Sequence, residues 1–233
     1  MEPKILQKLR RFAYLSRDDM NDVEQLLHHR RHIGARTDAV ALGKISRDTI
    51  IILGGWAARY GLVKDGRRQI TSFLLPGDHS RLDNPEQAIA AINHLDVAFV
   101  RADDLAALER DRPQVGVALA RARLAEEARL CALATSLGRL DAEDRIGRTL
   151  CDLWHRADAI GLIRDGSLHF PLTQPDLADY TGLTAVHVNR MMRRLRVDGL
   201  AELKGHSLVI HDYAELAARV EYRCTDTGDT ARS

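Results

Sequence analysis

The stretch 172–200 constrains this chain more than any other, because its caps, turn residue and apolar spacing agree on one arrangement. Thr173 is placed to cap a first helix, with Pro175 in its first turn and Asp176 near the positive end of its dipole. Gly182 supplies a tight turn and Thr184 caps a second helix, so the pattern predicts a helix-turn-helix. At about 100° per residue, Thr184, Val188, Met191, Met192 and Leu195 share a face that is expected to be buried. The opposite face carries Val186, Arg190, Arg193 and Val197, flanked by His187, Asn189 and Arg194.

That exposed face has the chemistry of a major-groove reader. Arginine pairs bidentately with guanine, asparagine with adenine, and a small apolar side chain meets the thymine methyl. Arg193 and Arg194, farther along the helix, are expected to reach phosphates. After Gly199, two short apolar runs flank Lys204-Gly205-His206 and predict a wing whose Lys204 or His206 touches the DNA backbone. Thr173, Gln174 and Ala185, at the starts of the two helices, complete the expected DNA-binding set.

Charge is distributed to match. From Thr184 to His206 there are five Lys or Arg against two Asp or Glu, a local +3, whereas the whole 233-residue chain is +1. Near-neutrality excludes a uniformly basic nucleic-acid binder and an acidic disordered chain but leaves room for a local basic patch. The length favours two domains or one large one. The longest apolar run, near Ile50 to Leu53, is far too short for a membrane span, and the N-terminus has no signal-like apolar core, so a cytoplasmic location without membrane association is expected. Cys131, Cys151 and Cys224 form no CxxC pair, which argues against a disulfide framework or a zinc or iron–sulfur site.

Upstream, the first thirty residues read as short helices. Short strand-like runs follow at 49–53, 56–63, 69–75, 88–92 and 96–100, with turns at Lys64-Asp65-Gly66 and Leu75-Pro76-Gly77-Asp78. They predict a small antiparallel roll or barrel. A long helix begins at Arg112-Pro113, with Leu130, Leu133, Leu137 and Leu140 as one stripe and Val117, Leu124 and Cys131 repeating every seven as another. One stripe is expected to pack on its own domain and the other on a partner. Asp141 to Asp144 mark a new helix start and a domain boundary.

Taken together, these residues resemble the Crp/Fnr family of bacterial transcription regulators. The resemblance rests on Asp65-Gly66-Arg67-Arg68-Gln69-Ile70 and Phe73-Leu74-Leu75-Pro76-Gly77-Asp78, on Leu172-Thr173-Gln174 with Asp176-Leu177-Ala178, and on Thr181-Gly182-Leu183-Thr184 with Val186-His187-Val188-Asn189-Arg190. It implies an α+β fold: an N-terminal antiparallel β-roll like that which binds cyclic nucleotides, a long dimerisation helix, and a C-terminal winged helix-turn-helix. The expected divisions are a sensing roll with its helices at 1–110, the dimerisation helix at 111–138, the DNA-binding domain at 139–222 and a flexible tail at 223–233. A homodimer joined through Val117, Leu124, Leu130, Cys131, Leu133 and Leu137 would read a pseudo-palindrome in double-stranded DNA and work with RNA polymerase, without being an enzyme.

By this resemblance Arg190 is the base-reading arginine, while Val186 stands where many members carry an acid. An effector pocket would involve Arg59, Arg68, Phe73, Asp78, His79 and Arg81, the effector itself being unknown. Members that bind cyclic AMP carry a Gly-Glu pair and then an Arg. Here Arg81 precedes Glu86, so a working nucleotide site is not expected. No Cys precedes Cys131, against an oxygen-sensing cluster, and no cofactor is expected. His28 and His32 would share a helical face if that segment were helical, but Arg30 and Arg31 between them oppose a cation. His79, read as an exposed loop residue, is thin evidence for haem, and Cys131 and Cys151 read as helix-packing residues. The alternative is a cupin-like small-molecule or metal-dependent enzyme barrel, for which the strand region offers only His79 and His94.

Overall fold

The computed structural model describes residues 2–224, so the expected tail falls, from Thr225 on, outside the described residues. The described residues form two compact units, one through Ala128 and one from Arg129. No helix among them is long and apolar enough to cross a membrane.

The first unit opens with α1 (Lys4–Leu9) and α2 (Arg17–Gln25), followed by a short 3-10 turn at Leu26–His28. α2 starts on a capping box: Ser16 Oγ accepts from the Asp19 amide while Asp19 accepts from the Ser16 amide at 2.8 Å. Eight strands follow: β1 (Arg30–Ile33), β2 (Asp38–Val40), β3 (Thr49–Gly54), β4 (Ala57–Leu62), β5 (Arg68–Leu74), β6 (His79–Arg81), β7 (Ala88–Ala91) and β8 (Leu95–Val100). They form two four-stranded sheets, ordered β1-β8-β3-β6 and β2-β7-β4-β5, with antiparallel pairing throughout. The Asp65-Gly66 turn joins β4 to β5, with Gly66 at φ 82°.

Period-2 alternation explains why β3 is apolar at every central position. Ile50 and Ile52 face a core shared with Val40, Ala57, Leu74, Ile89 and Val97, whereas Ile51 faces the helices. The helical layer is completed by α3 (Ala102–Asp111) and α4 (Pro113–Arg139). Val115, Ala118, Leu119, Ala122 and Ala125 of α4 join Ile5, Leu6, Leu9 and Ile51 in that second core. β1, β2, β6 and α3 extend the elements expected from sequence, and the segment of His28 and His32 is a 3-10 turn and a strand, so their helical spacing does not exist.

The turn after β5 is where α1 is seated. Asp78 Oδ2 accepts the Leu75 amide at 2.7 Å, its other oxygen pairs with Lys8, and Gly77 donates to the Ile52 carbonyl at 2.8 Å. Gly77 sits at φ 90°, and a Cβ there would lie 2.7 Å from the Lys4 carbonyl oxygen. Next along the chain, His79 begins β6 rather than an exposed loop, and its Nδ1 is buried without a hydrogen-bond partner. Burial first, then the Lys8 and Arg123 cations, lower its pKa from 6.5 to about 4, against the opposing pull of Asp78 and Glu126.

In the second unit α5 (Ala142–Asp158) follows the end of α4, capped by Asp141, whose Oδ1 accepts the Glu143 and Asp144 amides. Then come β9 (Ile163–Arg164), β10 (Ser167–His169), α6 (Gln174–Thr181), α7 (Ala185–Val197), β11 (Ala201–Lys204), β12 (Ser207–Ile210) and α8 (Tyr213–Arg219). The strands form one sheet ordered β11-β12-β10-β9. α5 buries Ile146, Leu150, Cys151 and Leu153, and Gly147 admits Val220, whose Cγ1 would lie 2.5 Å from any added Cβ.

Gly77→Ala should destabilise the first unit by about 2 kcal/mol or more, through both the positive φ and the close approach of α1, read as a lowered denaturation midpoint. The His79 sign follows from its lowered pKa. Above pH 6.5 the ring is neutral in both folded and unfolded chains; between 6.5 and about 4 only the unfolded chain takes up the proton, so stability falls across that window. The loss is up to about 3 kcal/mol. In urea titrations from about pH 7 to about pH 4.5, His79→Gln should lose less stability than the native chain, and parallel losses would refute the assignment.

Candidate nucleic-acid interface

The helix-turn-helix is built from its caps inward. Asp176 is fully buried at the start of α6; its Oδ2 accepts from the Thr173 amide at 2.9 Å and from the Thr173 hydroxyl at 2.7 Å, and Thr173 Oγ1 in turn accepts the Asp176 amide. Leu177, Ala178 and Thr181 carry the buried side of α6. Gly182 ends the helix at φ 66°, a left-handed conformation that glycine adopts without a Cβ clash, and its amide donates to the Ala178 carbonyl. Thr184 then caps α7 by accepting the His187 amide at 3.2 Å.

α7 buries Val188, Met191, Met192 and Leu195, four of the five expected positions. Thr184 is exposed instead, because a cap residue lies outside the helical turn and its side chain serves the backbone. On the far face Val186 is 79% and Val197 77% exposed. His187, Asn189, Arg190, Arg193 and Arg194 are exposed beside them, while Ala185 and Gln174 are half-buried and Thr173 is exposed. Arg190 and Arg193 have no carboxylate partner among the described residues. Arg194 does, pairing with Glu143 at 3.0 Å. Glu143 also holds Arg219 at 2.5 Å, and Arg219 reaches Asp198 at 2.6 Å, so the C-terminal end of α7 is braced to α5 and α8. Sequence gave no signal for this network, since its members lie on three separate elements.

The wing is present as β11 and β12, with Lys204 opposite Ser207 and Gly205 at φ 59°. Lys204 is exposed but turned to Glu202 at 2.7 Å, which with His211 holds the Glu202 carboxyl below its ordinary pKa. His206 is exposed, its ring 6.2 Å from that of His169. A second hairpin, β9 and β10, turns at Asp165-Gly166, both with positive φ. Its Asp-Gly pair was the available sequence signal.

The two stripes on α4 divide. Val117, Leu124 and Cys131 are exposed, Leu124 at 59%, whereas Leu133 is buried and Leu130 and Leu137 are half-buried. Cys131 is therefore not a packing residue of this chain, unlike Cys151, which is fully buried and whose thiol pKa burial pushes up to about 12.

In the roll, the six residues expected at an effector pocket have the following partners. Arg59 donates to Glu126 at 2.7 Å and to Ser80 at 3.4 Å, with its Nε buried and unpartnered. Arg68 stacks over Tyr60, Phe73 is a core residue, Asp78 holds the turn under α1, and Arg81 pairs with Asp83 at the surface. His79 and Ser80 are neighbours on one strand and so point to opposite faces. His32 pairs with Asp96.

A family model described as a Crp-like helix-turn-helix domain matches residues 144–219, the segment that carries these caps and this exposed face. The chain is 27% identical over 170 residues to the nitrogen fixation regulation protein FixK of Azorhizobium caulinodans, covering 72% of this chain and 68% of that one. It is also 27% identical over 206 residues to the transcriptional activator protein FnrL of Cereibacter sphaeroides, covering 85% and 83%. Among solved structures, FixK2 from Bradyrhizobium japonicum superimposes with a TM-score of 0.72 at 25% identity, over 81% of this chain and 95% of that one. A CooA mutant from Carboxydothermus hydrogenoformans shares the fold at 15% identity and a TM-score of 0.68, over 82% and 87%. With the capped helix-turn-helix and wing on one unit and the antiparallel roll on the other, this chain has the fold of the Crp/Fnr transcription regulators and is similar to them in sequence over both units.

Proposed function

We propose that the chain binds a pseudo-palindromic operator in double-stranded DNA as a homodimer, acting in the cytoplasm with RNA polymerase as its partner. The observation that carries this is α7: one face locked by Val188, Met191, Met192 and Leu195, the other presenting Val186, Asn189 and an unpaired Arg190. In this reading α7 lies in the major groove, with Arg190 on a guanine, Asn189 on an adenine and Val186 against a thymine methyl. Arg193, His206 and Lys204 supply backbone contacts, and Thr173, Gln174, Thr184 and Ala185 approach the phosphates at the two helix starts. Arg194 is divided between the phosphate and its bond to Glu143.

The exposed heptad of Val117, Leu124 and Cys131 supports pairing of two copies along α4, which sets two recognition helices about one helical turn apart. The division into roll at 1–110, pairing helix at 111–138 and DNA-binding domain at 139–222 belongs to the same reading. The roll is read as a scaffold without a cyclic-nucleotide site, because Arg59 is already committed to Glu126 and Arg81 to Asp83.

Gel-shift titration on DNA upstream of the chain's own gene tests this. Arg190→Ala should cost about 1 to 3 kcal/mol per half-site on that DNA and little on random DNA. Arg193→Ala should weaken both alike and lower the salt slope by about one per protomer. Equal losses on both DNAs for Arg190→Ala, or no salt-sensitive specific complex, would overturn the reading.

A further inference from the structure

The second unit contains a cavity of about 380 Å³ to which α7 contributes no residue. Its walls come from the end of α4, from α5, from the C-terminal end of α6 and from the segment after α8. That volume lies within the range of small-molecule sites, about 300 to 1,000 Å³. Leu133, Leu137, Tyr180 and Tyr222 are among its lining residues, a composition that suits a planar apolar body.

Two of the guanidinium groups in its lining are Arg148 and Arg223. Arg148 gives its Nε to the Val220 carbonyl at 2.7 Å and lies within electrostatic reach of Asp144, but among the described residues neither its Nη groups nor the Arg223 guanidinium forms an ion pair with a carboxylate. Of the two carboxylates in the lining, Asp152 is already paired with Arg156 at 3.1 Å. The rim is held in place: Glu221 sits at φ 49°, and the Glu221 and Tyr222 amides donate to the Ala218 and Ala217 carbonyls. For a non-glycine residue that conformation costs about 1 kcal/mol or more, and it carries Tyr222 and Arg223 back onto the cavity. Arg145 forms the remaining wall, donating to the Leu140 carbonyl at 2.9 Å and to the Thr181 carbonyl at 3.1 Å, the latter being the last residue of α6.

We propose that this cavity binds a small planar organic carboxylate, its apolar body between the leucines and tyrosines and its charge held by Arg148 and Arg223. Guanidinium groups without a carboxylate are the donors such a ligand matches in bidentate fashion. Because Thr181 and Arg145 form one wall, the occupant touches the helix-turn-helix turn itself. The site stands independently of operator recognition and of the roll.

The test titrates 2-naphthoate and neutral 2-naphthamide into the full chain, with calorimetry for affinity and amide NMR shifts at Thr181 and Gly182 for place. Naphthoate is expected to saturate at sub-millimolar concentration and to bind at least about tenfold more tightly than the amide. The double variant Arg148→Gln with Arg223→Gln should erase that preference while leaving the amide's affinity unchanged. Ser136→Trp, which fills the cavity, should abolish both; should it not fold, Ala132→Trp at the more exposed rim serves the same purpose. No saturable binding, equal affinity for the two probes, or shifts that persist in the filled variant would each overturn the proposal.

Discussion

A carboxylate with no access to solvent holds the DNA-binding unit in shape. Burying a carboxylate costs several kcal/mol unless it is hydrogen-bonded, and Asp176 Oδ2 accepts from the Thr173 amide and hydroxyl at 2.9 and 2.7 Å. The same exchange fixes where α6 begins. From that point geometry propagates: α6 is eight residues long, Gly182 reverses the chain, and Thr184 starts α7 in the register that buries Val188 and Leu195 and exposes Arg190. The reading face is thus set by a hydrogen-bonded pair more than ten residues upstream of it. The Glu143, Arg219 and Asp198 network then secures the far end of α7.

α4 meets two demands with one periodicity. Along its first half, Val115, Ala118, Leu119, Ala122 and Ala125 fall on the face that joins the helical core. Val117 and Leu124 point elsewhere and stay exposed, an arrangement that costs solubility unless a partner covers them. A helix with only one role would carry one stripe; the second is unexplained by the packing of a single chain.

The helix-turn-helix was legible from sequence because its determinants are local: caps, a turn glycine and a period-3.6 apolar face lie within thirty residues. Thr184 was placed on the wrong side for an equally local reason, since projecting a cap onto the helical wheel assigns it a face it does not occupy. The roll's strands at 49–53 and 88–92 were visible by composition, whereas β1, charged at Arg30, Arg31 and His32, was not. Its place is set by pairing with β8 sixty residues away. His79 was misjudged in the same way, its strand being defined by Ile51 across the ladder rather than by its own neighbours. The α4 face that packs on the roll was overlooked because leucine stripes outweigh alanines in a hydrophobic pattern.

Charge pairing, more than charge content, separates scaffold from site. In the first unit Arg59 pairs with Glu126, Arg112 with Asp22 and Arg123 with Glu109, so these guanidinium groups tie helices and strands together. Arg190 and Arg193 are different: neither has a carboxylate partner among the described residues, and Glu143 and Asp198 are held by Arg194 and Arg219. An arginine kept free in this way retains its full donor fork and its charge at the surface, where an approaching polyanion displaces only water and counterions. A net charge of +1 is therefore compatible with a local cationic face, provided the acids around it are paired, and here Glu143 and Asp198 are the ones that brace α7.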